Sequence, residues 1–198
     1  PLDPVQALRT VIEGQTTTVD VGEVNGHFFV NNSSLGLYPD IVRQRELLRS
    51  RLGHGKWGAF AWATLAALKR FPFLNVKLSL EGQQRLHRTP FVFVGNGEYL
   101  MQGLQVGTRA RLTDGRLCVY LAGQGGRLDL LKLAVAALFG RLKQARDFCA
   151  LQAREIVIET PRSRLRVATD GEVRLLGTPL TYRIHPHALR VVVPAVRG

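Results

Sequence analysis

Two acidic turns are where chemistry could sit in this 198-residue chain, Thr113-Asp114-Gly115 and Thr169-Asp170-Gly171-Glu172. Each lies between runs that alternate apolar and polar residues, so each reads first as a type I′ hairpin turn, whose two central residues need positive φ. The second turn adds Glu172 two positions after Asp170. On extended backbone that spacing sends both side chains to one side of a sheet. A carboxylate held in fixed geometry is what a general base requires, because it must lie within hydrogen-bond reach of the proton it takes.

Other chemistries lack their residues. Cys118 and Cys149 are far apart, with no Cys-x-x-Cys or Cys/His metal spacing, which fits a reducing, cytosolic setting and gives no zinc site. Gly53-His54-Gly55-Lys56-Trp57-Gly58 is not a phosphate-binding P-loop, since no Gly-Lys-Ser/Thr follows a four-residue gap. Gly123-Gln124-Gly125-Gly126 reads as the entry turn of a helix rather than a phosphate nest.

The elements that must position the turns follow from periodicity. Asp3-Pro4 caps a short helix carrying Val5, Leu8, Val11 and Ile12 as far as Gly14. Thr16–Val24 and His27–Val30 are strands joined by Asn25-Gly26, a strong hairpin signal. Pro39–Leu52 reads as an amphipathic helix with a basic exposed surface, and Trp57–Phe71 as a largely buried helix. Beyond Pro72 the period becomes two, with strands at Val76–Leu80, Pro90–Val94 and Leu117–Leu121. A further helix fits Leu128–Leu142, and short strands follow at Ile156–Ile158, Leu165–Ala168, Thr181–Ile184 and Leu189–Val193. The sum is an α+β domain, mainly β, with about three to four inserted helices, occupying residues 1–198 as one unit. A start on a helix cap without an initiator methionine reads as a boundary inside a longer protein.

With 27 Lys and Arg against 15 Asp and Glu, the formal charge is +12. Such an excess favours anionic partners, either nucleic acid, a nucleotide or a phospholipid surface. Arg162, Arg164 and Arg166 alternate along one expected strand and so share a face, while Leu165 and Val167 point the other way. That row would suit an anionic membrane, or would simply be the solvated side of a sheet. Aromatic residues make up only 8% and no RNA-binding or helix-turn-helix signature appears, so nucleic acid is not expected as a partner. The longest apolar stretch, Leu128–Leu142, is interrupted by Asp129, Lys132 and Arg141 and is too short to span a bilayer, and no signal peptide is visible, which reads as a soluble protein.

A set of motifs then recurs in a definite order: Val21-Gly22-Glu23-Val24-Asn25-Gly26, Phe29-Val30-Asn31-Asn32-Ser33-Ser34-Leu35-Gly36, Pro90-Phe91-Val92-Phe93-Val94-Gly95-Asn96, Leu112-Thr113-Asp114-Gly115-Arg116-Leu117, Asp170-Gly171-Glu172, Pro179-Leu180 and His185-Pro186-His187-Ala188-Leu189-Arg190. Their order and content resemble the C-terminal half of the bacterial diacylglycerol-kinase-like lipid kinases, a group that includes sphingosine kinases and is distantly related to NAD kinases. The resemblance runs over nearly the whole chain and implies a β-sandwich of antiparallel strands with a few helices.

Carried over residue by residue, it implies that Glu172 is the base that deprotonates a lipid hydroxyl for attack on the γ-phosphate of ATP. Asp170 would support it, by orienting it or through a water or metal ion. Asp114 would bind a structural Mg²⁺ with the backbone carbonyls of Arg111 and Arg116, oxygen ligands of the kind a hard cation takes. The family's Gly-Gly-Asp-Gly-Thr loop is missing from this sequence, so the chain is expected to need an N-terminal nucleotide-binding domain and to be inactive alone. The implied partners are that domain, a lipid substrate and the anionic membrane surface, with a homodimer allowed and a cytoplasmic, peripheral membrane location. A NAD kinase relative and a non-catalytic basic binding module are the competing readings.

Overall fold

The computed structural model of the chain describes residues 3–36, 73–99, 109, 111–122 and 148–195. Its one helix among these, α1 (Pro4–Glu13), begins where the sequence places it. Asp3 Oδ1 accepts from the Val5 N–H at 2.9 Å, Pro4 fills the first turn, and the Gly14 N–H closes the last turn on the Thr10 carbonyl.

Twelve strands follow among the described residues: β1 (Gln15–Val24), β2 (His27–Phe29), β3 (Asn32–Gly36), β4 (Leu74–Leu80), β5 (Gln83–Thr89), β6 (Phe91–Asn96), β7 (Leu117–Ala122), β8 (Phe148–Ala153), β9 (Glu155–Glu159), β10 (Arg164–Thr169), β11 (Glu172–Gly177) and β12 (Leu180–Val193). They form two six-stranded sheets whose described pairings are all antiparallel, in the orders β2-β1-β12-β9-β4-β5 and β11-β10-β3-β6-β7-β8. Three two-residue turns join neighbouring strands with both residues at positive φ: Asn25-Gly26 (45°, 83°), Glu81-Gly82 (47°, 83°) and Asp170-Gly171 (48°, 93°). Such turns match the right-handed twist of the strands they connect, which is why Asn-Gly and Asp-Gly mark two of them.

The inner faces pack through Val24, Phe29, Leu78, Ile156, Ile158, Leu180 and Tyr182 of one sheet against Leu35, Val92, Val94, Leu117, Val119 and Val167 of the other. Each such aliphatic side chain removed from water contributes about 1.5–3 kcal/mol before entropic costs. Gly22 lets the Phe29 ring lie on β1, since a Cβ there would meet the ring at 2.3 Å. One polar pin crosses the core: the fully buried Tyr182 hydroxyl lies 3.1 Å from Ser33 Oγ. Burial pushes the phenol of Tyr182 well above its ordinary pKa, so it sits there as a neutral hydroxyl.

The expected α+β class with three to four inserted helices is corrected. The described residues are two antiparallel sheets with a single helix, which is a mainly-β sandwich. The helices expected over Pro39–Leu52, Trp57–Phe71 and Leu128–Leu142 fall outside the described residues. One strand escapes the sequence periodicity for a physical reason: β5, Gln-Gln-Arg-Leu-His-Arg-Thr, is an edge strand whose side chains are mostly solvated, so it shows no apolar alternation. No helix among the described residues is long and apolar enough to cross a membrane.

That edge strand also sets an acid limit on stability. His87 Nε2 is buried without a hydrogen-bond partner among the described residues, and burial first, then the nearby Arg85 charge, lowers the imidazole pKa from its usual 6.5. The folded state therefore binds a proton less readily than the unfolded chain, so stability falls as pH drops below about 6.5 toward the depressed folded value. The melting temperature of the chain is expected to decline over that window, and His87→Leu to flatten the decline. An identical slope in the variant would remove His87 as its source.

Candidate functional site

Glu172 opens β11, at the mouth of the Asp170-Gly171 turn. Its side chain is 71% exposed and its Oε2 is paired with Arg174 Nη2. Arg174 in turn donates from Nη1 to the buried Thr169 Oγ1 at 3.0 Å, so the guanidinium is braced on the preceding strand. The Oε1 of Glu172 carries no hydrogen bond among the described residues, which leaves one carboxylate oxygen open to solvent and oriented by the other.

Asp170 does something different. Its backbone is left-handed, φ 48°, not extended, so the spacing rule that puts Asp170 and Glu172 on one side does not apply. Its carboxylate accepts from three consecutive backbone N–H groups, Val30 (2.6 Å to Oδ2), Asn31 (2.8 Å to Oδ1) and Asn32 (3.0 Å to Oδ1). Its own N–H donates to the Asn32 carbonyl at 2.9 Å. The turn is thereby clamped to the β2–β3 connection, and Glu172 rides on a fixed base.

The same connection is gripped from its other side. Asn96 Nδ2 donates to the Val30 carbonyl (2.9 Å) and to the Asp20 carbonyl (2.7 Å), and its backbone N–H donates to the Asn31 carbonyl (3.0 Å). Arg109 donates to the Val30 carbonyl (2.8 Å) and to Asn31 Oδ1 (3.0 Å), and the Tyr99 hydroxyl to the Asn31 carbonyl (3.0 Å). Asp20, 2% exposed, sits at the bulge where the β1–β12 register shifts. It accepts from the Gly115 N–H (2.7 Å) and from the N–H of His187, which has φ 53°. An unbroken path of hydrogen bonds thus runs from the Asp170 turn through residues 30–32, Asn96 and Asp20 to the Asp114-Gly115 turn.

The Asp114 turn is not a type I′ hairpin. Gly115 alone of its central pair has positive φ, at 63°, and its N–H is spent on Asp20 rather than on a ladder. Around Gly97 (φ 85°) the turn brings together the three groups the sequence reading selected. A methyl group at Gly97 would lie 3.4 Å from the Arg111 carbonyl oxygen and 3.7 Å from Asp114 Oδ2, and the Gly97 N–H donates to the Arg116 carbonyl at 3.1 Å. A small cradle bounded by hard oxygen donors is the chemistry a Mg²⁺ or Ca²⁺ ion takes, so these residues fit the expected group. Among the described residues no cluster of three or more His, Cys, Asp or Glu is placed to hold a metal. Beside the cradle, Glu98, Asp114, Arg116, Cys118 and Gln152 line an open pocket of about 240 Å³. Burial pushes the Cys118 thiol up, making it an inert wall rather than a nucleophile.

His185, from the last motif, lies 2.6 Å from Glu23 Oε2, and Phe28 stands edge-on to its ring. The hydrogen bond from His185 holds the Glu23 carboxyl below its usual range. Sequence reasoning named this motif but missed Asp20, Asn96 and Arg109 as the framework of the site. Asp20 left a signal, an acid in the middle of Thr-Val-Asp-Val, whereas Arg109 left none.

Comparison with known proteins agrees with this fold. The profile of the family described as the YegS C-terminal NAD kinase beta sandwich-like domain matches residues 42–193. Among solved structures, a candidate diacylglycerol kinase from Bacillus anthracis str. Sterne is similar at 25% identity with a TM-score of 0.70, over 97% of this chain and 62% of that one. A second candidate diacylglycerol kinase from the same organism shares the fold at 23% identity, TM-score 0.68, over 97% and 62% of the two chains. The chain therefore spans about three fifths of the length of the proteins it resembles.

Proposed function

The chain belongs to the family of the YegS C-terminal NAD kinase β-sandwich-like domain, and from that membership we propose that it is the substrate-side lobe of an ATP-dependent lipid kinase. The acceptor is diacylglycerol or a related lipid alcohol, the substrate class named for its structural relatives. The observation that carries this reading is Glu172: an exposed carboxylate on a turn clamped by three backbone hydrogen bonds, with one oxygen held by Arg174 and the other open.

In this reading Glu172 Oε1 takes the proton of the lipid hydroxyl as that oxygen attacks the γ-phosphorus of ATP. The bond from the γ-phosphorus to the bridging oxygen breaks, and ADP leaves with the electron pair. Positioning of the phosphates falls to a nucleotide-binding domain, because this sequence has no glycine-rich phosphate loop. The isolated chain is accordingly inactive, and the whole enzyme works peripherally at the cytoplasmic membrane face. The test is transfer of labelled phosphate from ATP by the chain supplied with such a domain. Label in diacylglycerol supports the proposal, and label in NAD instead would replace it with a NAD kinase role, which the family's description also brings to mind.

Asp114 with the Arg111 and Arg116 carbonyls would hold Mg²⁺, which would supply fixed positive charge to brace the turn. Mn²⁺ titration of the chain followed by electron paramagnetic resonance should give one site. Asp114→Asn is expected to weaken it by about 100-fold or more, beyond the 10–100-fold that supporting groups around a metal usually carry. Equal Mn²⁺ affinity in the variant would refute the assignment.

A further inference from the structure

The hairpin that carries Glu172 also presents an outward face that the site does not use. In the β10–β11 register Arg166 lies opposite Leu175 and Arg164 opposite Gly177, so these side chains share one face. Leu165 and Val167 take the buried side, as the alternation of burial along β10 shows. Arg162, Arg164 and Arg166 are exposed, and Leu175 is 59% exposed in the middle of β11, an edge strand. Both acids of the hairpin are engaged elsewhere, Asp170 with backbone N–H groups and Glu172 with Arg174. Arg164 on that face, with the exposed Arg162 just before the strand, thus accompanies one projecting aliphatic residue.

We propose that this face of the β10–β11 hairpin docks onto an anionic phospholipid surface, with Leu175 entering the interface and Arg162 and Arg164 meeting lipid phosphates. Two features favour a bilayer over nucleic acid. The projecting residue is aliphatic, so it gains by leaving water but offers a base no ring to stack on. Among the described residues the face is built of strand and turn, without a reading helix. The proposal rests on the lipid-kinase reading and sharpens it. Glu172 is three residues from Leu175, about 10 Å along a strand, and on the opposite side of β11. A hairpin seated on the bilayer by this face would leave the base on the side turned away from the headgroups, so that a lipid alcohol reaches it around the edge strand β11.

The test is co-sedimentation of the 198-residue chain with phosphatidylcholine vesicles, with and without phosphatidylglycerol, across a salt series. Salt-sensitive binding to the anionic vesicles alone is expected. Arg162→Gln with Arg164→Gln should lower the partition coefficient about 30-fold, corresponding to about 1 kcal/mol for each basic residue removed from the surface. Leu175→Ser should lower it at every salt concentration, because apolar burial is not screened. Unaltered binding in both variants, with melting temperatures preserved, overturns the proposal. So does arginine-dependent binding to an oligonucleotide in the absence of vesicle binding. Glu172→Gln should sediment like the parent chain, so a failed docking test and a failed catalytic assignment are told apart.

Discussion

Glu172→Gln should reduce turnover of the chain paired with a nucleotide-binding domain by about 10²–10⁴-fold, the usual share of a positioned general base. The change is nearly isosteric. The amide oxygen can still accept from Arg174, so the side chain stays in place while its ability to take a proton is lost. Because proton removal belongs to the transition state, kcat and kcat/KM are expected to fall together with little change in KM. Stability should hardly move. The Glu172–Arg174 pair is exposed at 71% and 43% of its two side chains, and such pairs contribute about 0.2–1 kcal/mol. Steady-state kinetics with diacylglycerol, beside a thermal melt of the 198-residue chain, reads both quantities. Full activity in the variant would end the assignment of Glu172 as the base.

Much of the scaffold was legible because its signals are local. Asn25-Gly26 and Asp170-Gly171 announce turns through backbone requirements that Asn, Asp and Gly meet at little cost, and both adopt the paired positive φ values expected of them. The Asp3-Pro4 cap and the Gly14 stop bracket α1 for the same kind of reason. Legibility fails where neighbours decide. Glu81-Gly82 makes a third such turn although Glu is a poor turn residue, because β4 and β5 pair over seven residues on either side of it. The two segments read separately as Thr181–Ile184 and Leu189–Val193 are one strand, β12, which pairs with β1 across the bulge at Asp20. A bulge depends on the partner strand, so no spacing within β12 reports it.

The site divides along the same line. Its acids stand at turn positions that the sequence marks, so Asp114, Asp170 and Glu172 could be selected by type and setting. Their division of labour could not. Two carboxylates two residues apart look like partners, and only the left-handed backbone of Asp170 shows that it faces residues 30–32, about 140 positions earlier in the chain. The cradle at Gly97 is likewise assembled by chain segments that meet only in the folded sheet, through Arg111, Asp114 and Arg116. Asp20 and Asn96 do the joining, and each is buried to within 2% exposure with its polar atoms engaged. A buried polar network of this kind specifies one arrangement, because any slip would leave a donor or acceptor unpaired.

Asp170→Ala is the counterpart experiment, and its expected signature differs in kind. The substitution strips acceptors from the N–H groups of Val30, Asn31 and Asn32 at once. Hydrogen bonds to a charged group contribute about 1.5–3 kcal/mol each, but these lie at an exposed turn where water can replace part of the loss, which brings the expected cost to about 2–4 kcal/mol. Alanine at φ 48° adds about 1 kcal/mol, since it keeps the crowded Cβ but lacks the short polar side chain whose local hydrogen bonds let aspartate tolerate the left-handed region. For a chain of this size the melting temperature should fall by about 10 °C. Asp170→Asn separates the two contributions. It keeps an acceptor for Asn31 and Asn32 but turns an amide N–H₂ toward the Val30 N–H, so its loss should be intermediate. Turnover should drop in both variants because Glu172 loses the base on which it stands, and the drop should follow the loss of order in the turn. A clamp lowers stability and turnover together, whereas a second proton-transfer group lowers turnover alone. If Asp170→Ala abolished activity with the melting temperature unmoved, Asp170 would belong to the chemistry and not to the scaffold.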